Sequence, residues 1–290
     1  DFSLFMAQWW FESLLKNFKQ EFSEGYTDTP MYSNGLALIC FHTQTELDKV
    51  KTAIFEKTFK KHPTYYLDNR EKYLQNTAES RKALKQLETQ PLSPEAVNIL
   101  KKRFFTIFPM LRLFNFFPHY WEPEVRAVFG DKADQVIAIA YTDRSESEGV
   151  MELIDSLLRR MVKEKLVEIG KPTIFAKFLT DSELEALANN KELNWQEIAT
   201  RTAGFVYCKG ELYATPAYQN IFKQHGYLYE EEKILGNELK GTVAVQGGVV
   251  TGKCRVIFAL EEVSKFKNGE IMVTPMTVPD FIPAMKKASA

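Results

Sequence analysis

The chain is short of cysteine, of net charge and of uninterrupted apolar sequence, and each shortage removes a class of protein. Only three cysteines occur in 290 residues, Cys40, Cys208 and Cys254, widely spaced and without a Cys-x-x-Cys pair. That pattern argues against a disulfide framework or a zinc site and for a reducing, cytoplasmic compartment. Each thiol is expected to behave as a small buried apolar side chain. With 37 basic and 38 acidic residues the formal net charge is −1, so no global field draws the chain to nucleic acid or to an anionic membrane. The local basic groups (Lys60-Lys61-His62, Lys101-Lys102-Arg103, Arg159-Arg160) fall in helical patterns and are expected on solvated faces. The most apolar stretch, Phe104 to Trp121, is broken by Pro109, Arg112, Asn115 and Pro118. A membrane span needs about 20 nearly uninterrupted apolar residues, so none is expected. The apolar opening lacks a basic leader and a small-residue cleavage site, so no signal peptide is expected either. The chain begins without Met and ends inside a strand–helix pattern, which reads as a piece of a longer product.

What remains is ordinary globular sequence, 45% hydrophobic and 26% charged, long enough for two domains. Up to about residue 236 the pattern is mostly helical. The run from Leu36 to Phe41 suggests a short buried strand. Thr45 with Asp48 suggests a helix start, followed by Leu47, Val50, Ile54 and Phe55 on one face. A polar helix is expected from about Arg70 to Leu87. Ser93-Pro94-Glu95 is a strong start signal: serine caps, proline fits the first helical position and glutamate complements the positive helix end. That helix runs into the aromatic stretch, whose phenylalanines either pack a core or line a pocket for an apolar ligand. Gln135 to Tyr141 reads as helix or strand. Asp143 to Glu148 reads as a binding loop or a capped helix start, leading into an amphipathic helix from Glu146 to Ile169 that Gly170 and Pro172 end. Thr180-Asp-Ser-Glu183 and Asn194-Trp-Gln-Glu197 are two more helix starts. Phe205 to Ala214 reads as a β-hairpin turned at Lys209-Gly210. Pro216 to Gln224 reads as a short helix, and Glu230 to Gly236 as a linker.

From Gly241 the apolar period changes to two. Val243 and Val245 alternate with Thr242 and Ala244, and Cys254, Val256 and Phe258 alternate with Arg255 and Ile257. Gly247, Gly248 and Gly252 lie between them, where a backbone needs positive φ or close approach. A short helix follows over Glu261 to Phe266, closed near Gly269. Ile271 to Thr274 reads as a buried strand, and Thr277-Val-Pro-Asp280 opens another helix.

At these residues the sequence resembles the mobile phosphohistidine domain of phosphoenolpyruvate-utilising enzymes, the group that includes phosphoenolpyruvate synthase, pyruvate phosphate dikinase and rifampin phosphotransferase. The residues that carry the resemblance are Gly241, Ala244, Gly248, Gly252, Arg255, Val256 and Ile257, then Gly269, Glu270, Ile271, Val273, Thr274, Thr277, Pro279 and Asp280. Upstream, Phe178 to Leu184 and Ile198 to Arg201 resemble the helical linker that precedes that domain. The resemblance implies an α+β chain: a mainly helical linker or substrate-binding domain over 1–236, then the first part of a swivelling β/β/α domain over 237–290. It also implies a phosphotransferase that passes phosphate through a histidine on the swivelling domain, using ATP, phosphoenolpyruvate and magnesium in the parent protein. A nucleotide-binding domain or partner chain and a small-molecule phosphate acceptor belong to the same picture. The alternative is a stand-alone phosphocarrier or binding protein without a nucleotide site of its own.

Three features depart from that pattern. The sequence has no Gly-Gly-x-x-x-His motif, so the carrier histidine is expected beyond Ala290 and no catalytic residue is assigned here. It shows neither a Walker loop nor a nucleotide-grasping region, and no barrel-type pyruvate domain. None of His42, His62, His119 and His225 lies in a glycine-rich turn, and each is expected to be structural or superficial. Thr277, Pro279 and Asp280, with Gly248 and Gly252, are the candidate phosphate-vicinity residues, each with a plain alternative as helix cap or tight turn. No metal ligands are assigned.

Overall fold

A computed structural model describes residues 2–35, 38–62, 64–120, 122–228, 248–257, 260–274 and 281–289, with backbone alone at 58–59, 112, 114–120, 260–261 and 282–283. The chain divides into two compact units, residues 1–230 and 231–290.

Unit 1 is built around its first helix, α1 (Leu4–Glu12). Ser3 caps it, its hydroxyl accepting from the Met6 N–H. Leu4, Phe5, Met6, Ala7, Trp9 and Phe11 are all buried. A helix apolar on nearly every side belongs inside a core. A wide π turn, Ser13–Asn17, then leads into α2 (Phe18–Phe22). Against α1 and the π turn packs α5 (Pro94–Tyr120), and on α5 in turn pack α4 (Tyr65–Leu87), α7 (Ala133–Ser147) and α8 (Val150–Glu168). Between them run α3 (Gln44–Phe55) and α6 (Glu122–Phe129), and after them α9 (Asp181–Ala188) and α10 (Trp195–Thr200). Phe104, Ile107, Phe108 and Leu113 of α5 are fully buried, and the Phe104 ring lies 5.8 Å from that of Trp9. This part of the aromatic stretch is therefore core, each such side chain contributing about 1.5–3 kcal/mol. The side chains at 114–121 lie outside the described residues.

Several helix starts fall where the sequence puts them. Ser93 accepts from the Ala96 N–H and Pro94 opens α5. Thr180 and Glu183 form a reciprocal capping box on α9, and Asn194 accepts from the Glu197 N–H. Two readings need correction, and one left open is decided. The cap of α3 is Thr43, not Thr45; its hydroxyl accepts from the Glu46 N–H. The amphipathic helix α8 begins at Val150 rather than Glu146, because Glu148 leaves the helical region (ψ 139°) and Gly149 turns the chain (φ 78°). Gln135 to Tyr141 is helix, inside α7.

The largest departure is a four-stranded antiparallel sheet within the domain read as mainly helical. Its strands are β1 (Met31–Ser33), β2 (Leu38–Cys40), β3 (Phe205–Cys208) and β4 (Glu211–Tyr213), ordered β2-β1-β3-β4. The expected hairpin β3–β4 is present, with Lys209 and Gly210 both at positive φ in the turn. The apolar run at 36–41 does form a strand, yet not a buried one: β2 is a sheet edge with Ile39 48% exposed. Strand β1 pairs Ser33 with Phe205, and two glycines permit the approach. A Cβ on Gly204 (φ 140°) would lie 2.7 Å from the Ser33 carbonyl oxygen, and one on Gly35 (φ 84°) 2.4 Å from that of Thr202. Short α11 (Tyr218–Gln224) closes over the sheet through Phe222, whose ring is 5.1 Å from that of Phe41.

One buried carboxylate ties this region together. Asp28, wholly buried, accepts from the Tyr227 hydroxyl at 2.6 Å and the Lys209 N–H at 3.2 Å. The Cys208 sulfur lies 3.8 Å from the same group. Burial first, and the Asp28 charge next, push the Cys208 thiol up to about 11. Cys208 is thus the buried, unreactive thiol expected. Cys40 and Cys254 are exposed, correcting that expectation, because each sits on a strand with an exposed face.

Unit 2 contains β5 (Cys254–Val256) and β6 (Ile271–Val273), joined by a 3-10 helix, Leu260–Lys265. The strands are parallel, with Cys254 opposite Ile271 and Val256 opposite Val273. Parallel strands need a crossover connection, which the helical segment supplies. Ile257, Phe266, Phe281 and Ala284 form the core, the last on α12 (Ile282–Met285). The expected buried strand at Ile271 is only half-buried, and Val273 is 45% exposed.

Candidate functional site

The residues singled out by sequence do three different things. In unit 2, Arg255 on β5 and Glu270 just before β6 form a two-point ion pair, at 2.5 Å for Nε and 2.7 Å for Nη2. The Lys267 N–H adds a third bond to the same carboxylate. The Arg255 pairing, then the Lys267 bond, hold the Glu270 carboxyl down at about 2. Arg255 and Glu270 therefore act as a buckle between the parallel strands, and two of the three guanidinium nitrogens are committed to it.

Gly252 approaches its neighbour strand closely: a Cβ there would lie 3.3 Å from the Gly269 carbonyl oxygen and 3.6 Å from Ile271 Cγ1. Gly248 is exposed, and a Cβ would meet nothing within 4 Å. Gly241, Ala244, Gly247, Thr277, Pro279 and Asp280 lie outside the described residues, as does the proposed linker at 230–236. In sequence, Thr277 to Asp280 follow the carboxyl end of β6, the end at which open parallel sheets take their ligands.

In unit 1, the two stretches that resemble a family linker meet at one place. Arg201, its side chain 3% exposed, donates to Glu183 at 2.6 and 3.0 Å and to Glu197 at 2.7 Å. It also donates to the Phe178 carbonyl oxygen at 3.1 Å. Burial works against the Arg201 charge, and the Glu183 and Glu197 carboxylates outweigh it, so the guanidinium sits above its ordinary value. Glu183 thus serves both as partner in the Thr180 capping box and as the counter-ion of Arg201. The next residue pair extends the lock. Asp181 accepts from the Trp9 indole and from Lys101, each at 2.6 Å, and its own N–H donates to Gln8.

The basic groups read as solvated faces are partly interior. Lys101 bridges Asp181 and Glu185, Arg103 pairs with Glu79, and Arg159 pairs with the buried Asp155. Asp143, read as part of a loop or helix start, is a wholly buried residue near the end of α7. It takes a two-point pair from Arg70 at 2.6 and 2.8 Å. Burial, with the Asp143 charge behind it, drives the Tyr66 hydroxyl far above its ordinary value. No sequence pattern announces that pairing, since its members are 73 positions apart.

His62 pairs with Asp68 on an exposed surface at 3.0 Å. His225 shares a hydrogen bond with the Tyr213 hydroxyl at 2.9 Å, and His42 packs on the Tyr26 ring. The His119 side chain is outside the described residues. Among the described residues no group of three or more His, Cys, Asp or Glu is placed to hold a metal ion, and no helix is long and apolar enough to cross a membrane.

No family model matches the chain, and no solved structure does. Curated proteins do match, over stretches. One stretch of 66 residues is 42% identical to a probable phosphoenolpyruvate synthase of Archaeoglobus fulgidus, covering 21% of this chain and 9% of that protein. A longer stretch, 157 residues, is 29% identical to a probable phosphoenolpyruvate synthase of Methanocaldococcus jannaschii, covering 48% of this chain and 13% of that protein. A third, 72 residues, is 40% identical to the phosphoenolpyruvate synthase of Aquifex aeolicus, covering 25% and 8%. The matched stretches thus span 9%, 13% and 8% of these relatives. Over part of its length, the chain is similar to phosphoenolpyruvate-utilising enzymes.

Proposed function

We propose that this chain is part of a phosphoenolpyruvate-synthase-like phosphotransferase, and that unit 2 belongs to a swivelling domain that carries phosphate on a histidine. The observation that carries the reading is the similarity to three phosphoenolpyruvate synthases. The parallel β5–β6 pair supports it, buckled by Arg255 and Glu270 with its carboxyl end running into Thr277-Val-Pro-Asp280. In this reading Thr277 and Asp280 cap a helix whose N–H groups lie near the phosphate, and Pro279 sets its entry. Gly252 keeps the strands close. Unit 1 supplies the linker or the acceptor-binding part, and the whole protein works in the cytoplasm on a small-molecule acceptor.

The chemistry is a two-step displacement. A P–O bond of the donor breaks as a P–N bond forms on the imidazole; the P–N bond then breaks as an acceptor oxygen attacks phosphorus. ATP, phosphoenolpyruvate and magnesium belong to the whole protein in this proposal. The described residues offer no acidic or histidine cluster that fits a metal ion, so no step here runs through magnesium.

The test uses the whole gene product, incubated with β- or γ-labelled ATP and separately with labelled phosphoenolpyruvate. Acid-labile, base-stable label on the protein, lost when the histidine of a glycine-rich turn is changed to alanine, is the expected result. No label from either donor would overturn the proposal and leave a binding role.

A further inference from the structure

Two breaks in helical regularity face each other in unit 1. Pro109 lies within α5 and has no N–H, so the Phe105 carbonyl loses its donor four residues on. The π turn Ser13–Asn17 supplies the replacement: the Asn17 side-chain amide donates to the Phe105 oxygen at 3.3 Å. Wide turns of this kind are uncommon and concentrate at functional sites. Here both irregularities border one cavity of about 240 Å³, closed on its third side by α4.

Four carboxamides line that cavity: Asn17 and Gln20 from one side, Asn69 and Asn76 from α4. Two are held in place by the backbone, Asn17 as above and Asn69 by donating to the Tyr65 carbonyl at 2.8 Å. A carboxamide offers donors and an acceptor on one planar head, the complement of a hydroxyl that both gives and takes a hydrogen bond. Charge is balanced, with one carboxylate, Glu21, and one ammonium, Lys72. Glu21 already accepts from the Tyr65 hydroxyl. The rest of the wall is Phe105, Pro109 and Met110, with Tyr73 and the hydroxyl-bearing Thr106 beside them. The volume is below the roughly 300 Å³ at which pockets for drug-sized molecules begin, so the occupant is small.

We propose that this cavity binds a small, neutral, polyhydroxylated molecule of about monosaccharide size, its hydroxyls read by the carboxamides and its C–H face set against Phe105 and Met110. The inference is independent of the phosphotransfer reading, since it uses only the geometry of unit 1.

The experiment is a titration of the isotopically labelled chain with D-glucose and with myo-inositol, following the side-chain amide resonances of Asn17, Asn69 and Asn76 by NMR. Inorganic phosphate and glycine betaine serve as charged controls. The expected result is saturable shifts of those amides with a neutral polyol and none with the controls. Gln20→Ala, an exposed change that spares the core, and Asn76→Leu, which fills the cavity, should each weaken binding about tenfold or more, with the backbone spectrum otherwise retained. No saturable shift with either polyol, shifts that survive both substitutions, or saturation by phosphate or betaine instead would overturn the proposal.

Discussion

Changing Glu183 to glutamine isolates the charge at the centre of the Arg201 lock. Glutamine still serves the capping box, because it can accept from the Thr180 N–H as glutamate does. It leaves Arg201, 3% exposed, facing a neutral amide oxygen in place of a carboxylate, with the half-exposed Glu197 and the Phe178 carbonyl as its unchanged partners. Breaking a buried pair by removing one partner costs about 3–5 kcal/mol. Because Arg201 keeps those two partners, a loss of about 2–3 kcal/mol is expected for Glu183→Gln. Glu183→Ala should cost about 1 kcal/mol more, through the lost cap. The double change Glu183→Leu with Arg201→Met removes both charges and should recover most of the loss. Urea unfolding followed by tryptophan fluorescence reads the effect in unit 1, since all four tryptophans precede residue 230. For a domain of this size, 2–3 kcal/mol corresponds to a fall of roughly 4–12 °C in Tm. Raising the salt should not mimic the change, because buried pairs are weakly screened. A loss below about 1 kcal/mol in both single variants, or an effect that salt abolishes, would refute the lock.

Other consequences are as direct. Glu270 has its folded pKa depressed to about 2 from 4.5, so its contribution to unit 2 is full above about pH 4.5 and lost as pH falls towards 2. Amide exchange of β5 and β6 across that window should show the loss, and Arg255→Met should remove most of the pH step; an unchanged step would sink the assignment. Asn17→Ala should cost about 1–3 kcal/mol by orphaning the Phe105 carbonyl, and much less beside Pro109→Ala, which restores an N–H; equal costs in the two backgrounds would show that the contact is incidental. Gly204→Ala should destabilise by about 1–3 kcal/mol and deprotect the β1 and β3 amides first, whereas an unchanged exchange pattern would mean the strands part easily.

The elements that sequence reveals well are those announced by local chemistry. Ser93-Pro94, Thr180 with Glu183, Asn194 with Glu197 and Lys209-Gly210 each carry their structural instruction within four residues. Of the sheet, the β2 run and the β3–β4 hairpin are legible, but β1 is not, because its three residues are too short to display a period of two and it pairs with a strand far along the chain. Asp143 was misread for the same reason: a charged run looks like surface until its partner, Arg70, is known. The cap of α3 went to Thr45 because threonine occurs at both 43 and 45, and only the backbone angles choose between them. In the candidate site, Arg255 and Glu270 were visible as motif residues, while their mutual pairing was not. The carboxamide cavity left no sequence signal at all, since single asparagines in a polar helix look like any solvated face.

The Asp28 cluster has a consequence for how the protein is made. Its two ends, Asp28 and Tyr227, lie 199 positions apart, and β1 cannot find β3 until Phe205 has emerged. At roughly 5–20 residues per second, translation leaves the β1–β2 hairpin with an open edge for about ten to thirty seconds. Met31, wholly buried in the finished sheet, can pack on Ala7 and Phe11 in that interval but lacks Tyr207, and its strand keeps an edge of unpaired backbone groups. The helices between them form from local contacts and need not wait. Nascent chains should therefore be most prone to sticking just before residue 205 leaves the ribosome, and a chaperone that shields a short strand edge would act on this protein at that stage.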